Sequence, residues 1–112
     1  MSYFRNATKH ERGFDEVAVD SLASQPAHRL IDVRSPEEFT GDLGHIPNAE
    51  LMPLSMISRL AAKLDRTEPL LIVCRSGQRS ARAVELLSQL GFERIANVKG
   101  GMLAFRALRA VA

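Results

Sequence analysis

The sequence predicts an α/β domain built on a mainly parallel sheet. Three observations carry that prediction. Short aliphatic runs recur along the chain: RLIDV at 29–33, LLIV at 70–73 and Ile95 to Val98. Helical patterns lie between them, most clearly over Ser80 to Leu90, and such alternation suits parallel strands covered by helices. LLIV is four aliphatics in a row, as expected of a central strand buried on both faces.

Each element follows from local chemistry. Residues 1–13 are polar and irregular and are expected to form a loosely ordered arm ahead of a domain over 14–112. Glu16 to Val19 reads as a short strand, and Asp20 to Ser24 as one helical turn closed by Pro26. RLIDV is followed by SPEEF. Ser35 is placed to cap a helix, Pro36 suits its first position, and Glu38 completes a capping box. Gly41 and Gly44 keep that helix short, and GHIP at 44–47 is a turn. Glu50 to Met52 is a further strand, stopped by Pro53. From Leu54 to Leu64, residues Met56, Ile57, Leu60, Ala61 and Leu64 recur at helical spacing. In the Ser80 helix, Ala83, Val84, Leu87 and Leu90 share one face, opposite Arg82, Glu85 and Gln89, and Gly91 fits the position just past its end. A Gly100-Gly101 turn then leads to a last helix over Met102 to Val111, with Met102, Phe105 and Leu108 inward.

Composition bounds the function. The 112 residues suit one domain, and 46% hydrophobic with 25% charged residues is ordinary for a soluble globular protein. Net charge is only +2, and no basic cluster is interleaved with aromatics, so nucleic acid is not an expected partner. No apolar run approaches the roughly 20 residues of a membrane span. MSYFRNATKHERG lacks the apolar core of a signal peptide. The single cysteine excludes an internal disulfide and a resolving cysteine in the same chain. A free thiol suits a reducing compartment, so the cytoplasm is the expected location.

That cysteine, Cys74, ends the LLIV strand and opens the loop CRSGQRS. Sites in open α/β sheets lie at the carboxyl ends of strands. Gly77 lets the backbone turn so that successive N–H groups form an anion nest. The helix that follows adds partial positive charge at its N-terminus, and Arg75 and Arg79 add full charges. All of these favour the thiolate, so Cys74 is expected to ionise below the ordinary value of about 8.5. A lone strand-end cysteine is more often a small buried hydrophobe. The glycine, the two arginines and the following helix reverse that reading, because a core cysteine does not need them.

In these stretches the chain resembles a single-domain rhodanese, a sulfurtransferase. LIDVRSPEEFTGDLGHIPNAELMPL, LLIVCRSGQRSARAVELLSQLGF and IANVKGGMLAF carry the likeness over about residues 14–108, in the family's order. The resemblance implies a five-stranded, mainly parallel sheet flanked by helices on both faces. It also implies a loop cysteine that cycles through a persulfide, with no cofactor and no metal. Cys74 would take sulfane sulfur from thiosulfate or another small-molecule donor and pass it to cyanide or a thiol, in ping-pong fashion. With no second cysteine, the acceptor is external, and a sulfur-accepting protein is one candidate.

In that loop, Arg75 is expected to bind an anionic donor at the mouth, and Arg79 to do the same or to lock the loop. Ser76 and Ser80 are candidate hydroxyl donors to the sulfur, although Ser80 suits a helix cap equally well. Gly77 and Gln78 complete the loop, and Lys99 either adds to the positive field or is simply solvated. Asp32, Arg34 and Glu38 are read as supporting residues, with Arg34 paired to Glu38 and Asp32 accepting from loop backbone. His45 is expected to stabilise its turn, and His10 and His28 have no metal-ligand spacing. Met52, Met56 and Met102 read as core or pocket lining. Phe105 stands where the family commonly has a tryptophan, and ALRAVA lacks the frequent Gly-Leu-Pro ending.

Loop length separates the related chemistries. Cysteine phosphatases, including those on the same fold, use C-x5-R, whereas four residues separate Cys74 from Arg79. The shorter nest suits a persulfide better than a tetrahedral phosphate. A catalytically quiet binding or regulatory module ranks second, and a cysteine phosphatase or arsenate reductase third.

Overall fold

Five parallel strands form the body of the sheet, and their cores are the aliphatic runs of the sequence. They are β2 (Asp15–Val17), β3 (Arg29–Asp32), β4 (Glu50–Leu51), β5 (Leu70–Val73) and β6 (Ile95–Val98). A sixth strand, β1 (Thr8–Lys9), joins the edge antiparallel to β2, giving the order β1-β2-β6-β5-β3-β4. The structure is a computed structural model and describes residues 2–110.

Side-chain alternation explains why β5 is aliphatic throughout. Successive side chains of a strand point to opposite faces. Leu70, Ile72 and Cys74 enter one core, with Ile31, Val33, Ile57, Ala83, Val84 and Leu87. Leu71 and Val73 enter the other, with Leu30, Ala96, Val98, Met102 and Phe105. Burying each such aliphatic side chain stabilises the fold by about 1.5–3 kcal/mol. The first core is covered by α2 (Ile57–Ala61) and α3 (Gln78–Gln89). The second is covered by α4 (Gly101–Ala110) and the 3-10 turn Val19–Ser24. Phe105 is 7% exposed, so it fills the apolar wall without a tryptophan.

Several local expectations are modified. The arm over residues 1–13 is expected to be loose, yet among its described residues β1 pairs with β2, Phe4 is 4% exposed in the second core, and the Tyr3 hydroxyl donates to the Ala27 carbonyl at 2.7 Å. The hairpin forms through backbone bonds, which leave no apolar pattern to read. The Leu54–Leu64 run divides into a 3-10 turn, Leu54–Met56, followed by the short α2, and Met56 is exposed. Leu90 is exposed rather than inward. At Gly91 (φ +102°) the helix ends, and the Phe92 N–H donates to the Leu87 carbonyl while Gly91 donates to Ser88. This is a Schellman closure, and it puts Phe92 into the core in place of Leu90. Val111, the expected last residue of the final helix, and Ala112, the end of the expected domain, lie outside the described residues.

Candidate active site

β5 delivers Cys74 to the carboxyl edge of the sheet, where the residue is 1% exposed. The chain turns over Arg75 and Ser76, both exposed, to Gly77, which caps α3 with φ +107° and ψ −10°. That conformation belongs to glycine. It directs the Gly77 N–H to Cys74 Sγ at 3.1 Å. Ser80, fully buried, donates its hydroxyl to the same sulfur at 3.2 Å. Gly77 therefore holds the cap position, and the Ser80 hydroxyl serves the sulfur. Gln78 is exposed in the first turn of α3.

Burial is the largest single influence on the thiol and pushes its ionisation up. The Ser80 hydroxyl and the N–H groups of Ser80, Gly77 and Ser76 outweigh it together, so Cys74 ionises below its ordinary value. Hydrogen bonds to the charged form are the cause. The Cys74 and Arg79 charges also favour each other, and Cys74 is one of the lesser influences that raise Arg79.

The floor of the loop comes from α4. Met102 N–H donates to the Cys74 carbonyl at 2.8 Å, and Leu103 N–H to the Arg75 carbonyl at 3.0 Å. Gly101 has φ +57°, and a Cβ there would collide with the Cys74 carbonyl oxygen and lie 2.7 Å from that of Arg75. The Gly100-Gly101 pair was legible as a turn, but not as the seat of the cysteine loop.

Arg79 pairs with Glu38. Its two terminal nitrogens donate to the two oxygens of Glu38 at 2.6 and 2.7 Å. This fork-to-fork bond drives the Glu38 carboxyl down to about 2 and raises Arg79. Glu38 also keeps the expected capping box, accepting from Ser35 N–H at 3.1 Å while its own N–H donates to Ser35 Oγ at 3.2 Å.

Arg34, expected to pair with Glu38, reaches only the carbonyl of that residue and forms its ion pair with Asp32. Their side chains are 1% and 0% exposed, and Arg34 Nε and Nη2 lie 3.0 and 2.8 Å from Asp32 oxygens. Residues two apart on extended chain project to one side, which brings the two together. Arg34 also donates to the carbonyls of Glu38 and Gly44, at 3.2 and 2.6 Å. Asp32 accepts the Arg34 backbone N–H at 3.1 Å.

Among the described residues, Arg75 and Lys99 are exposed and form no ion pair. His45 stacks on Phe39, with ring centroids 3.7 Å apart, and its Nδ1 lies 2.9 Å from the Phe39 carbonyl oxygen. His10 stacks on Phe14, and His28 Nδ1 lies 2.7 Å from the Pro26 carbonyl oxygen. No three of the described His, Cys, Asp and Glu residues converge as metal ligands. No helix among the described residues is long and apolar enough to cross a membrane. One residue near the loop was overlooked. Asn97 is 2% exposed, and its amide nitrogen lies 3.5 Å from the Gly77 carbonyl oxygen. An asparagine inside the strand IANV was the available signal.

The chain has counterparts among known proteins. Residues 15–108 match the rhodanese-like domain family. The chain belongs to that family. It is 33% identical over 95 residues to a sulfurtransferase of Allochromatium vinosum, covering 81% of this chain and 87% of that protein. It is 30% identical over 89 residues to the adenylyltransferase and sulfurtransferase uba4 of Ogataea parapolymorpha, covering 79% of this chain but only 22% of that much longer protein. The crystal structure of a rhodanese-like domain protein from Staphylococcus aureus matches with TM-score 0.70 and 35% identity, over 80% of this chain and 89% of that one. The six-stranded, mostly parallel sheet is thus the rhodanese-like α/β fold, carrying one antiparallel edge strand.

Proposed function

We propose that this rhodanese-like chain transfers sulfane sulfur through a persulfide on Cys74. One observation supports this above all: the Gly77 N–H and the Ser80 hydroxyl converge on Sγ and favour its ionised form. The Cys74 thiolate attacks the outer sulfur of thiosulfate or another donor. The donor's S–S bond breaks, and sulfite, or a donor thiolate, leaves with the electron pair. Cys74 then carries the outer sulfur as a persulfide anion in the same cradle. An acceptor thiolate attacks that outer sulfur, becomes a persulfide itself, and restores the Cys74 thiolate. Cyanide attacking in the same way leaves as thiocyanate. The two displacements give ping-pong kinetics, and the nucleophile needs no external base.

Arg75 is exposed beside the loop and suits an anionic donor. Arg79, held by Glu38, shapes the loop wall. The acceptor is a small thiol, cyanide or a sulfur-accepting protein, and the cytoplasm is the compartment that keeps a lone thiol reduced. The kinship with a sulfurtransferase of similar length supports the same reading.

Intact mass measurement after incubation with thiosulfate tests it. The expected result is one added sulfur, removed by cyanide and absent in Cys74→Ser. A chain that gains no sulfur from thiosulfate or from a low-molecular-weight persulfide overturns the proposal. Release of phosphate from an aryl phosphate would favour phosphatase chemistry instead.

A further inference from the structure

Glu16 and Asn97 stand opposite each other on β2 and β6, and both are buried, at 9% and 2% exposed. Two residues back, Phe14 just ahead of β2 and Ile95 on β6 are core hydrophobes. The polar pair therefore interrupts an apolar face, and it does so close to Gly77. Asn97 Nδ2 donates to Glu16 Oε2 at 3.0 Å and lies 3.5 Å from the Gly77 carbonyl oxygen. The same nitrogen would be 3.8 Å from a Cβ placed on Gly77, so the amide packs directly against the glycine.

Asn97 Oδ1 is buried and has no hydrogen-bond partner among the described residues. An acceptor left unbonded in the interior costs free energy, and a native fold keeps one only for a reason. Here the reason is orientation. Glu16 offers Oε2 as an acceptor, so it selects the nitrogen end of the amide. Rotating the amide would not relieve Oδ1, because it would turn that oxygen toward two acceptors, Glu16 Oε2 and the Gly77 carbonyl.

We infer that Asn97, oriented by Glu16, is a positioning residue: by holding the Gly77 carbonyl it restricts the backbone dihedrals of Gly77 and so keeps the Gly77 N–H, on the preceding peptide, aimed at Cys74 Sγ. Glycine at φ +107° has wide backbone freedom, and a hydrogen bond weakens steeply as its angle falls toward about 120°. The helical bond from Ala81 N–H holds the Gly77 carbonyl from the α3 side at 3.1 Å, and Asn97 holds it from the sheet. With both in place the glycine has one arrangement. Neither Glu16 nor Asn97 touches the sulfur itself.

The inference rests on Cys74 being a nucleophile held as thiolate, and its test requires no sulfur transfer. The measurement is the pH dependence of Cys74 alkylation by iodoacetamide, with near-ultraviolet circular dichroism as the check on packing. Asn97→Ala is expected to move the alkylation midpoint up by about one unit, the scale of one hydrogen bond lost from a charged acceptor. Glu16→Gln keeps the shape but tolerates either amide orientation, and it is expected to move the midpoint the same way by about half as much. Wild-type midpoints in both folded variants overturn the inference. A shift in Asn97→Ala without one in Glu16→Gln overturns the orienting role of Glu16. If Asn97→Ala does not fold, the shape-preserving Glu16→Gln decides alone. Failure of sulfur loading with these shifts present would count against the proposed function and leave the positioning role standing.

Discussion

Two arginine–carboxylate pairs flank the short helix α1 (Pro36–Phe39), and they differ in almost everything but chemistry. The Arg34 and Asp32 side chains are 1% and 0% exposed, while those of Arg79 and Glu38 are 40% and 30% exposed. Burial makes the first pair costly to form and costlier to break. Taking two charges out of water is repaid only when every donor and acceptor is matched. Arg34 meets that demand with Asp32 and with the Glu38 and Gly44 carbonyls. It ties the end of β3 to α1 and the loop beyond. The second pair lies in partial contact with solvent, where screening leaves an ion pair about 0–1 kcal/mol. The contrast teaches that the end of β3 is tied rigidly to α1 and the loop beyond, while the cysteine-loop arginine is latched lightly.

Removing one partner from the buried pair is the strongest way to break that contrast. Asp32→Ala leaves a buried guanidinium without its counter-charge and is expected to cost about 3–5 kcal/mol of stability by urea unfolding. A cost no larger than that of Glu38→Ala would mean that burial does not separate the two pairs. Gly101→Ala tests the floor directly. The left-handed conformation alone costs an L-residue about 1–2 kcal/mol, and the Cβ also meets the Cys74 and Arg75 carbonyls. Slower sulfur loading of Cys74 is expected alongside the lost stability. Loading and stability at wild-type levels would show that α4 does not seat the loop.

The exposed side of the contrast is sharpened by kinetics. Arg75→Ala is expected to raise KM for thiosulfate about tenfold, the equivalent of losing a charge-assisted contact of about 1.5 kcal/mol. KM for an uncharged persulfide donor should stay near wild type. Equal effects on both donors would mean that Arg75 shapes the loop rather than receiving charge.

Why the sequence leaves Arg79 between binding a donor and locking the loop is instructive. CRSGQRS displays its spacing to Cys74, and SPEEF displays a capping box that already gives Glu38 a partner. The bond between them spans 41 residues of sequence, and no local pattern announces it. The period-2 rule puts Asp32 and Arg34 on one side of the strand end, although Arg34 was expected to pair with Glu38. What it could not show is that both charges would be buried. LLIV, the capping box and Gly91 were legible because each is decided within one turn or one strand. The N-terminal hairpin and the Gly101 contact with Cys74 depend on backbone meeting backbone, which leaves little trace in side-chain composition. Asn97 lay between these cases: visible as a polar residue in an aliphatic strand, silent about Gly77.

The smallest expected effect is the acid titration of the latch, and its sign is fixed. Contact with Arg79 lowers the Glu38 carboxyl from 4.5 to about 2 in the folded chain. A depressed carboxylate contributes stability that is fully present above its unfolded value and is lost as pH falls through the folded one. The window therefore runs from 4.5 down to about 2. Partial exposure limits the contribution to about 1 kcal/mol at most, less in high salt. Urea midpoints of wild type and Glu38→Gln should differ slightly at pH 6 and draw together across that window. The variant lacks the titrating group, so convergence isolates Glu38 from every other carboxylate. No difference at pH 6 would mean that Glu38 acts through its capping box with Ser35, which Gln can still form, and that the Arg79 bond adds nothing to the folded state; a difference that persists unchanged to pH 2 would mean that it does not come from the Glu38 charge.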